Sequence, residues 1–342
     1  MLKKLTQHIN SNFSFLKEKK MLIAISGGVD SVVLTHLFHQ LKFDLSLAHC
    51  NFNLRGIESD ADEKFVTDLG KALEIKTYIN HFKTEEIAAK NKASIQVTAR
   101  NLRYQWFQEI IEKHDYDFVL TAHHLDDNLE TFLINLTRGT GLEGFTGIPK
   151  KNNNIVRPLL IFSREEIEKF ATENNINWRE DKSNASTKYV RNKIRHQIVP
   201  VLKEMNPNLL GSFQKTLSHL QESQSIIDDT IQQKKISFFS KTENGITTID
   251  IEKLQKTTNP KAYLYQLLKE FGFTEWNDVL HLLDAQSGKK IVSKSHILVK
   301  DRTHLLLSKI VLESQKNQSF FIEKDITTIS SPISLSIKSV TE

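Results

Sequence analysis

A six-residue segment, Ser26–Ser31, contains the residue types that hold phosphate groups. Its sequence, SGGVDS, directly follows an apolar run and precedes a stretch of helical length. Adjacent glycines let the backbone turn tightly and approach a ligand, and a helix start offers unpaired N–H groups and a positive dipole end. The segment is therefore predicted to cradle phosphate with the following residues: Ser26, Gly27, Gly28, Val29, Asp30 and Ser31.

Asp30 needs its own explanation within this segment, because its carboxylate would repel a bare phosphate. Its simplest function is to hold Mg²⁺ that bridges phosphate oxygens. The competing interpretation is a capped strand-to-helix turn without a ligand. The nucleotide-binding pattern GxxxxGK[ST] is absent, since neither Gly70-Lys71 nor Gly288-Lys289 is followed by Ser or Thr. An ordinary P-loop NTPase is therefore not indicated.

A second polar cluster, HHLDDNLET, places His124, Asp127 and Glu130 at the start of a predicted helix. Residues three apart on a helix are neighbours on its surface. Carboxylates there can bind Mg²⁺ or an ammonium group, and histidine transfers protons near neutral pH. Alternatively, the acidic residues only stabilise the positive helix end. Zinc is a poor fit, because His123 and His124 are adjacent and no cysteine is nearby.

A third group of polar residues is basic and has no acidic residue within it. Its members fall on one helical face and are Lys188, Arg191, Asn192 and Arg195. A solvated surface helix explains many such stretches, but the neighbouring Trp178 and Tyr189 suit a polyanion whose bases stack on aromatic rings. Other arginines would extend a positive rim if the fold brings them together: Arg55, Arg100, Arg103, Arg138 and Arg157.

A literal GxGxxG pattern occurs at Gly139–Gly144. It follows a predicted helix instead of a strand, and no helix plainly starts within it, so the context of a dinucleotide-binding fold is missing. A flexible loop at the mouth of the site is the better interpretation.

The elements around these clusters alternate between short apolar runs and helical stretches. The runs are Met21–Ser26, Leu45–Cys50, Thr77–Phe82 and Phe118–His123, and the helices are Ser31–Leu41, Ile57–Leu73, Ile95–His114 and Leu125–Thr137. This alternation predicts an α/β fold with a parallel sheet. Ligands of such sheets bind beyond the carboxyl ends of the strands. Polar segments follow the first, second and fourth runs, so a site is expected at that edge.

The rest of the chain predicts further helices and a few strands. We expect an edge strand at Ile155–Ile161, interrupted by Pro158, and a capped helix from Ser163 to Asn174. A helix over Lys188–Met205 should have a kink at Pro200. Further predicted elements are helices at Leu209–Phe239, Lys261–Phe271 and Trp276–Ala285, and strands at Ile291–Val299 and His304–Ile310. The predicted domains are residues 1–207, 208–312 and 313–342. The last has strand-like runs over Phe320–Lys338 and is expected to be a tail or a truncated further domain.

Composition limits the classes of protein that remain. The 342 residues include 46 Lys and Arg against 41 Asp and Glu, so the net charge of +5 is only a weak hint of a nucleic-acid partner. A single cysteine, Cys50, can form neither an internal disulfide nor a cysteine-rich metal site, which favours a reducing compartment. No run of 18 apolar residues and no signal peptide is present. A soluble cytoplasmic protein without a membrane partner is expected.

The motifs together resemble a known family. SGGVDS resembles the signature of the N-type ATP pyrophosphatases, or PP-loop superfamily. The wider set is similar to the bacterial tRNA(Ile)-lysidine synthetase family over Met21–Asn206, through AHCNFNLRG, ARNLRYQWF, AHHLDDNLET, RGTGLEGFTGI, RPLL and EDKSNASTKYVRNKIR. One departure is Phe52, where the family commonly has a histidine. The resemblance implies a parallel-sheet, Rossmann-like PP-loop ATPase domain followed by a mostly helical domain with a few strands.

The resemblance also implies a reaction and its cofactors, ATP and Mg²⁺. The C2 oxygen of the wobble cytidine of a CAU-anticodon tRNA(Ile) attacks the α-phosphorus of ATP, and the ε-amine of free lysine then displaces AMP to give lysidine. In this scheme Asp30 holds Mg²⁺, Asp127 and Glu130 hold or deprotonate the lysine ammonium, and His124 assists proton transfer. The residues expected to bind tRNA or the leaving phosphates are Arg55, Arg103, Arg138, Lys188, Arg191, Asn192 and Arg195. A homodimer is left open.

Three other functions are weighed as alternatives. A PP-loop tRNA thiolase activates the same kind of base oxygen but delivers sulfur, which usually needs paired cysteines, and this chain has only Cys50. Synthetases of GMP or NAD would need an ammonia supply, and no glutamine-hydrolysing domain is apparent. A non-catalytic RNA-binding module would not need the phosphate loop and the acidic residues.

Overall fold

The computed structural model describes residues 1–180, 190–242, 245–310, 328–329 and 335–336. The chain divides into two compact units, one up to Ile226 and one from Ile227 onward. The domain limits predicted at residues 207 and 312 stay predictions. The strand-like runs predicted over Phe320–Lys338 lie outside the described residues, except for two short strands, Thr328–Ile329 and Leu335–Ser336, which pair with each other antiparallel.

A six-stranded, mostly parallel sheet forms the centre of the first unit, which confirms the predicted fold class. Its strands are β1 (Lys20–Ala24), β2 (Asp44–Asn51), β3 (Lys76–His81), β4 (Phe118–Leu120), β5 (Lys151–Asn152) and β6 (Ile155–Val156), in the order β3-β2-β1-β4-β6-β5. Only the β5–β6 pair is antiparallel within the sheet described here. Met21, Leu22 and Ile23 of β1 are all fully buried, as expected for a central strand with both faces covered.

Helices cover this sheet. They are α1 (Leu2–Asn12), α2 (Val29–Gln40), α3 (Ile57–Ala72), α4 (Thr84–Lys90), α5 (Ile95–His114), α6 (Leu125–Arg138), α7 (Leu142–Phe145) and α8 (Arg164–Glu173). The prediction for α5 was confirmed residue for residue, and Ser163 caps α8 by accepting a hydrogen bond from the Glu166 N–H group. Among the described residues, no helix is both long and apolar enough to cross a membrane.

Two local predictions were wrong. Ile155–Ile161 is not an edge strand: β6 ends at Val156 between β4 and β5, and a 3₁₀ turn follows over Pro158–Ile161. Proline has no N–H group to extend the ladder, and its fixed φ suits a helical turn. The Gly139–Gly144 segment does contain a helix start, because the one-turn helix α7 begins at Leu142.

The basic stretch is helical where it is described. It consists of α9 (Val190–Lys193), a π-helical turn (Ile194–Ile198) and α10 (Val199–Met205). Pro200 lies in the first turn of α10, directly after the π-helical turn. Because proline has no backbone N–H group, the regular helical hydrogen bond is missing at this position. Lys188 and Tyr189 lie outside the described residues.

The remaining elements are α11 (Leu209–Phe238), β7 (Phe239–Lys241), β8 (Thr247–Asp250), α12 (Ile251–Gln255), α13 (Pro260–Leu268), α14 (Trp276–His281), β9 (Lys290–Val292), β10 (His296–Lys300) and β11 (His304–Lys309), with 3₁₀ turns at Lys269–Phe271 and Leu282–Asp284. The five strands form an antiparallel sheet in the order β7-β8-β11-β10-β9. The strand predicted over Ile291–Val299 is therefore two strands of a hairpin, and β7 and β8 were not predicted. Leu298 and Leu305 are fully buried in this second core.

Candidate active site

The SGGVDS segment forms the turn between β1 and α2. Gly27 has a φ of +93°, a backbone conformation that side chains disfavour, and Gly28 caps the helix. The Ser31 hydroxyl donates to the Gly28 carbonyl at 2.9 Å and accepts from the Ser26 N–H group at 3.2 Å. The Arg179 N–H group donates to the Gly27 carbonyl at 3.0 Å. The turn is thus held by contacts within itself and by the backbone of Arg179, and it leads directly into the start of α2.

Asp30 lies in the first turn of α2, and its two carboxylate oxygens differ. Oδ2 accepts a hydrogen bond from Arg164 Nη1 at 2.6 Å, whereas Oδ1 is buried without a hydrogen-bond partner. Burial raises the pKa of Asp30 above its usual value, although His124 and Arg164 oppose the shift. A buried carboxylate oxygen that lacks a donor is suited to a cation.

Mg²⁺ fits this environment. It prefers oxygen ligands and usually takes one or two carboxylates together with phosphate oxygens and water. Asp30 Oδ1 provides one such oxygen beside the phosphate loop. Within the described part of the chain, no group of three or more His, Cys, Asp or Glu side chains is arranged to hold a metal ion, so an ion bound here would also use oxygens from a nucleotide and water.

His124 lies between two carboxylates. It is buried, and its Nε2 is 3.5 Å from Asp127 Oδ2 and 3.8 Å from Asp30 Oδ1. Its backbone N–H group donates to Asp127 Oδ2 at 3.0 Å, which fixes the start of α6. Nδ1 of the ring is buried without a hydrogen-bond partner. The imidazole is therefore positioned to exchange a proton with either carboxylate or with a ligand between them.

Asp127 and Glu130, called here the acidic pair, lie on the same face of α6. Glu130 is 1% exposed and accepts two hydrogen bonds from Arg195, from Nε at 2.6 Å and from Nη2 at 3.0 Å. Arg195 Nη2 also reaches Asp127 Oδ1 at 3.3 Å. Burial raises the pKa of Glu130. Burial acts the same way on Asp127, but His124, His123 and Arg195 together outweigh it, and the pKa of Asp127 falls below its usual value.

The other residues of the basic stretch are also near α6. Arg191 Nη2 donates to Thr131 Oγ1 at 2.8 Å, and Arg191 Nε is 3.6 Å from Glu130 Oε2. Asn192 follows Arg191 on α9 and is half-buried. Lys188, predicted to share this face, lies outside the described residues. The structure therefore brings two of the predicted basic residues to one carboxylate, instead of leaving both on an open surface.

The remaining predicted arginines lie in different environments. Arg55 Nη2 donates to Asp62 Oδ2 at 2.8 Å, and the Arg103 guanidinium lies over the Phe52 ring, 5.3 Å from its centroid. Arg138 is exposed in the last turn of α6, about 12 Å along the helix axis from Glu130 and about 16 Å from Asp127 at 1.5 Å per residue. Arg138 is thus not brought to the acidic pair.

One cavity of about 730 Å³ joins the three polar segments that the sequence placed at one sheet edge. Its lining includes Ser26 and Asp30 after β1, His49 and Asn51 in β2, His123 and Asp127 after β4, and Arg55, Arg103 and Arg191. The convergence predicted from the strand ends is therefore present. The cavity has residues of the SGGVDS turn at one part, carboxylates at another, and arginines along its border.

Sequence reasoning missed Arg164 and Arg179 as residues of this site. Arg179 donates through Nη2 to Glu58 Oε2 at 2.7 Å and through Nε to Asp62. Arg164 reaches Asp30, 134 positions away in the chain. The capping pattern at Ser163 predicted the helix that carries Arg164, but no spacing within the sequence connects either arginine with its partners.

Cys50 lines the same cavity and is not an activated thiol. It is half-buried, and burial raises its pKa to about 12, although Arg103 opposes the shift. A thiol of this pKa stays protonated near neutral pH, whereas sulfur chemistry requires the thiolate.

A phosphate loop after the first strand of a parallel sheet, with an acidic pair after the fourth, defines a PP-loop ATP-binding domain. Residues 1–202, more than half of the chain, match the PP-loop domain family, which implies the use of ATP. Residues 241–310 match the TilS substrate binding domain.

Relatives identify the particular family. The chain is 37% identical over 321 residues to the tRNA(Ile)-lysidine synthase of Bacteroides thetaiotaomicron, covering 93% of this chain and 74% of the relative. It is 38% identical over 291 residues to that of Porphyromonas gingivalis W83, covering 84% and 63%. The chain belongs to the tRNA(Ile)-lysidine synthase family. Among solved structures, it resembles the U34-tRNA thiolase NcsA of Methanococcus maripaludis with its [4Fe-4S] cluster, with a TM-score of 0.52, 18% identity, and coverage of 65% of this chain and 80% of that chain. This likeness concerns the fold alone.

Proposed function

We propose that the protein is an ATP-dependent ligase that joins lysine to C2 of the wobble cytidine of CAU-anticodon tRNA(Ile), forming lysidine and releasing AMP and pyrophosphate. The observation that carries the proposal is one cavity lined both by residues of the phosphate loop, Ser26, Asp30 and Ser31, and by Asp127 of the acidic pair. A nucleotide and an amine substrate can bind together only if groups for both line one space. Family membership supports the same assignment.

The first step is adenylation of the base. The cytidine C2 oxygen attacks the α-phosphorus of ATP, the bond between this phosphorus and the oxygen bridging to the β-phosphorus breaks, and pyrophosphate leaves. Backbone N–H groups at the start of α2 and the hydroxyl groups of Ser26 and Ser31 would orient the phosphates. Mg²⁺, held in part by Asp30, would neutralise the charge that develops on the leaving group.

The second step is displacement of AMP by lysine. The ε-amine must lose a proton before it attacks C2, after which the bond between C2 and the adenylate oxygen breaks. The acidic pair is suited to bind the ammonium form, which is supported by its hydrogen bonds to a cationic side chain, Arg195. His124, 3.5 Å from Asp127, would carry the proton away from the amine.

The tRNA would contact the arginines that border the cavity and the second compact unit. The residues proposed for tRNA or phosphate binding remain Arg55, Arg103, Arg138, Lys188, Arg191, Asn192 and Arg195. We propose that the limits at residues 207 and 312 separate regions of different function, and that residues 208–312 contact the tRNA body. We propose a cytoplasmic location for the reaction, and a homodimer stays open.

The proposal is tested by supplying ATP, Mg²⁺, radiolabelled lysine and a CAU-anticodon tRNA(Ile) transcript. We expect label in the tRNA and AMP release that depends on lysine. A transcript with guanosine in place of the wobble cytidine should take up no label, because it lacks the reacting C2 oxygen. Transfer of label to both transcripts, or to neither, contradicts the proposal.

A tRNA thiolase is the second candidate, since it would activate the same base oxygen. The raised pKa of Cys50, the single cysteine of the chain, weighs against it. In the same assay, AMP release that requires a sulfur donor and not lysine would favour thiolation. Tight tRNA binding without any AMP release would favour a non-catalytic RNA-binding module.

A further inference from the structure

Arg164, the first residue of α8, is held at three points. Its backbone N–H group donates to Asp126 Oδ2 at 2.8 Å, and its side-chain Nε donates to Glu168 Oε1 at 2.6 Å. Its Nη1 then donates to Asp30 Oδ2 at 2.6 Å. Because backbone and guanidinium are both anchored, the direction in which Nη1 points is set before any ligand binds.

The contact with Arg164 also sets the orientation of the Asp30 carboxylate. Once Oδ2 is bound to Nη1, the other oxygen, Oδ1, can take only a narrow range of directions. In the structure Oδ1 is buried without a hydrogen-bond partner, and Asp30 lines the cavity. In the Asp30 carboxylate, Oδ2 is therefore bound by the protein and Oδ1 is left to bind a ligand.

We propose that Arg164 is a positioning residue that aims Asp30 Oδ1 at the metal ion of bound MgATP. The inference rests on the proposed function only in that ATP occupies the phosphate loop. Groups that hydrogen-bond to a metal-binding carboxylate fix its geometry and tune its affinity for the ion. Arginine suits this role better than lysine, because its planar guanidinium can bind Glu168 and Asp30 at once.

A purely structural role is the main competing explanation. The Arg164 side chain is 39% exposed and that of Glu168 is 49% exposed, and an ion pair this exposed adds little to stability. The Asp30 side chain is 24% exposed, so loss of its contact with Arg164 should lower the melting temperature by a limited amount. The proposed role is recognised by a change in the metal dependence of ATP binding, which a purely structural contact would not cause.

The test measures ATP affinity by calorimetry, with Mg²⁺ and with EDTA, in the full-length protein without tRNA or lysine. Arg164→Ala is expected to weaken binding in Mg²⁺ by about 10- to 100-fold and to leave binding in EDTA nearly unchanged. Arg164→Lys and Glu168→Gln should give intermediate losses. Lys169→Met is the matched control, since Lys169 is 73% exposed on the same helix and only approaches Glu173 at 3.9 Å.

Each other outcome would overturn the inference. An equal loss in Mg²⁺ and in EDTA would mean that Arg164 binds phosphate directly. Tighter binding in Mg²⁺ would mean that Arg164 competes with the ion. Should Arg164→Ala fail to fold in a melting experiment, unchanged metal dependence in Arg164→Lys and Glu168→Gln would exclude the role. The experiment contains neither lysine nor tRNA. If MgATP binding follows the expected pattern, the role of Arg164 is therefore supported even if lysidine formation is disproved.

Discussion

Arg195 covers Glu130 with two hydrogen bonds, at 2.6 and 3.0 Å, so a protein side chain occupies the carboxylate proposed to bind the substrate ammonium. Both cations would use the same oxygens. Lysine can then bind only if Arg195 moves or shares the acidic pair. We therefore expect the charge of Glu130 to matter more for lysine affinity than for adenylation.

The first prediction concerns Glu130→Gln. Hydrogen bonds to charged groups contribute about 1.5–3 kcal/mol, so removing the charge should raise the KM for lysine by about tenfold or more. Adenylation, measured as pyrophosphate release before lysine is added, should change little. Glu173→Gln, an exposed residue of α8, is the control. An unchanged KM for lysine would remove Glu130 from the substrate site.

The second prediction concerns Asp30→Ala. Metal ions stabilise the charge of a phosphoryl transition state by several kcal/mol, so pyrophosphate release should fall at least about 100-fold. Affinity for tRNA, measured by filter binding, should stay close to that of the wild type, because Asp30 belongs to the phosphate loop. A comparable loss of tRNA affinity would mean that Asp30 supports the RNA surface instead.

Local patterns in the sequence predicted the elements that depend on local physics. Short apolar runs gave β1 to β4, and the capping pattern at Ser163 gave α8. The same reasoning could not find β7 and β8, whose short, mixed sequences form strands through pairing of β8 with β11 and of β7 with β8. It also could not pair Arg164 with Asp30, or Arg195 with Glu130, because such contacts depend on how distant elements pack. The residue types at the site were predictable, but their ion pairs were not.

The third prediction concerns acid stability and His123. Burial lowers the pKa of His123 to about 4, whereas the unfolded chain has a value of about 6.5. The unfolded state therefore binds the proton first, and stability that is present above pH 6.5 is lost as pH falls toward 4. His123→Asn should flatten this part of the pH dependence by about 2 kcal/mol between pH 7 and pH 5. Urea unfolding at pH 7, 6 and 5 measures the free energy of unfolding of both proteins. If this free energy changes with pH equally in the wild type and in His123→Asn, the assignment is contradicted.

The fourth prediction concerns Phe52, where the family commonly has a histidine. Its ring stacks on Phe82, with centroids 5.5 Å apart, and carries the Arg103 guanidinium at 5.3 Å. Cation–π contacts are worth about 0.5–2 kcal/mol. Phe52→Leu keeps an apolar side chain but removes the ring, so Arg103 should lose its fixed position and tRNA affinity should fall by about 2- to 30-fold.

The comparison that separates position from charge uses Arg103→Met and a matched ring. Arg103→Met should weaken tRNA binding and reduce the slope of log affinity against log salt by about one, whereas Phe52→Leu should weaken binding with a smaller change of slope, because the charge remains. Phe15→Leu is the control, since Lys151 Nζ lies 4.5 Å from the centre of that ring and Phe15 is not among the residues that line the cavity. If Phe15→Leu weakens tRNA binding as much as Phe52→Leu does, the effect belongs to aromatic packing in general and the Phe52–Arg103 contact has no specific function.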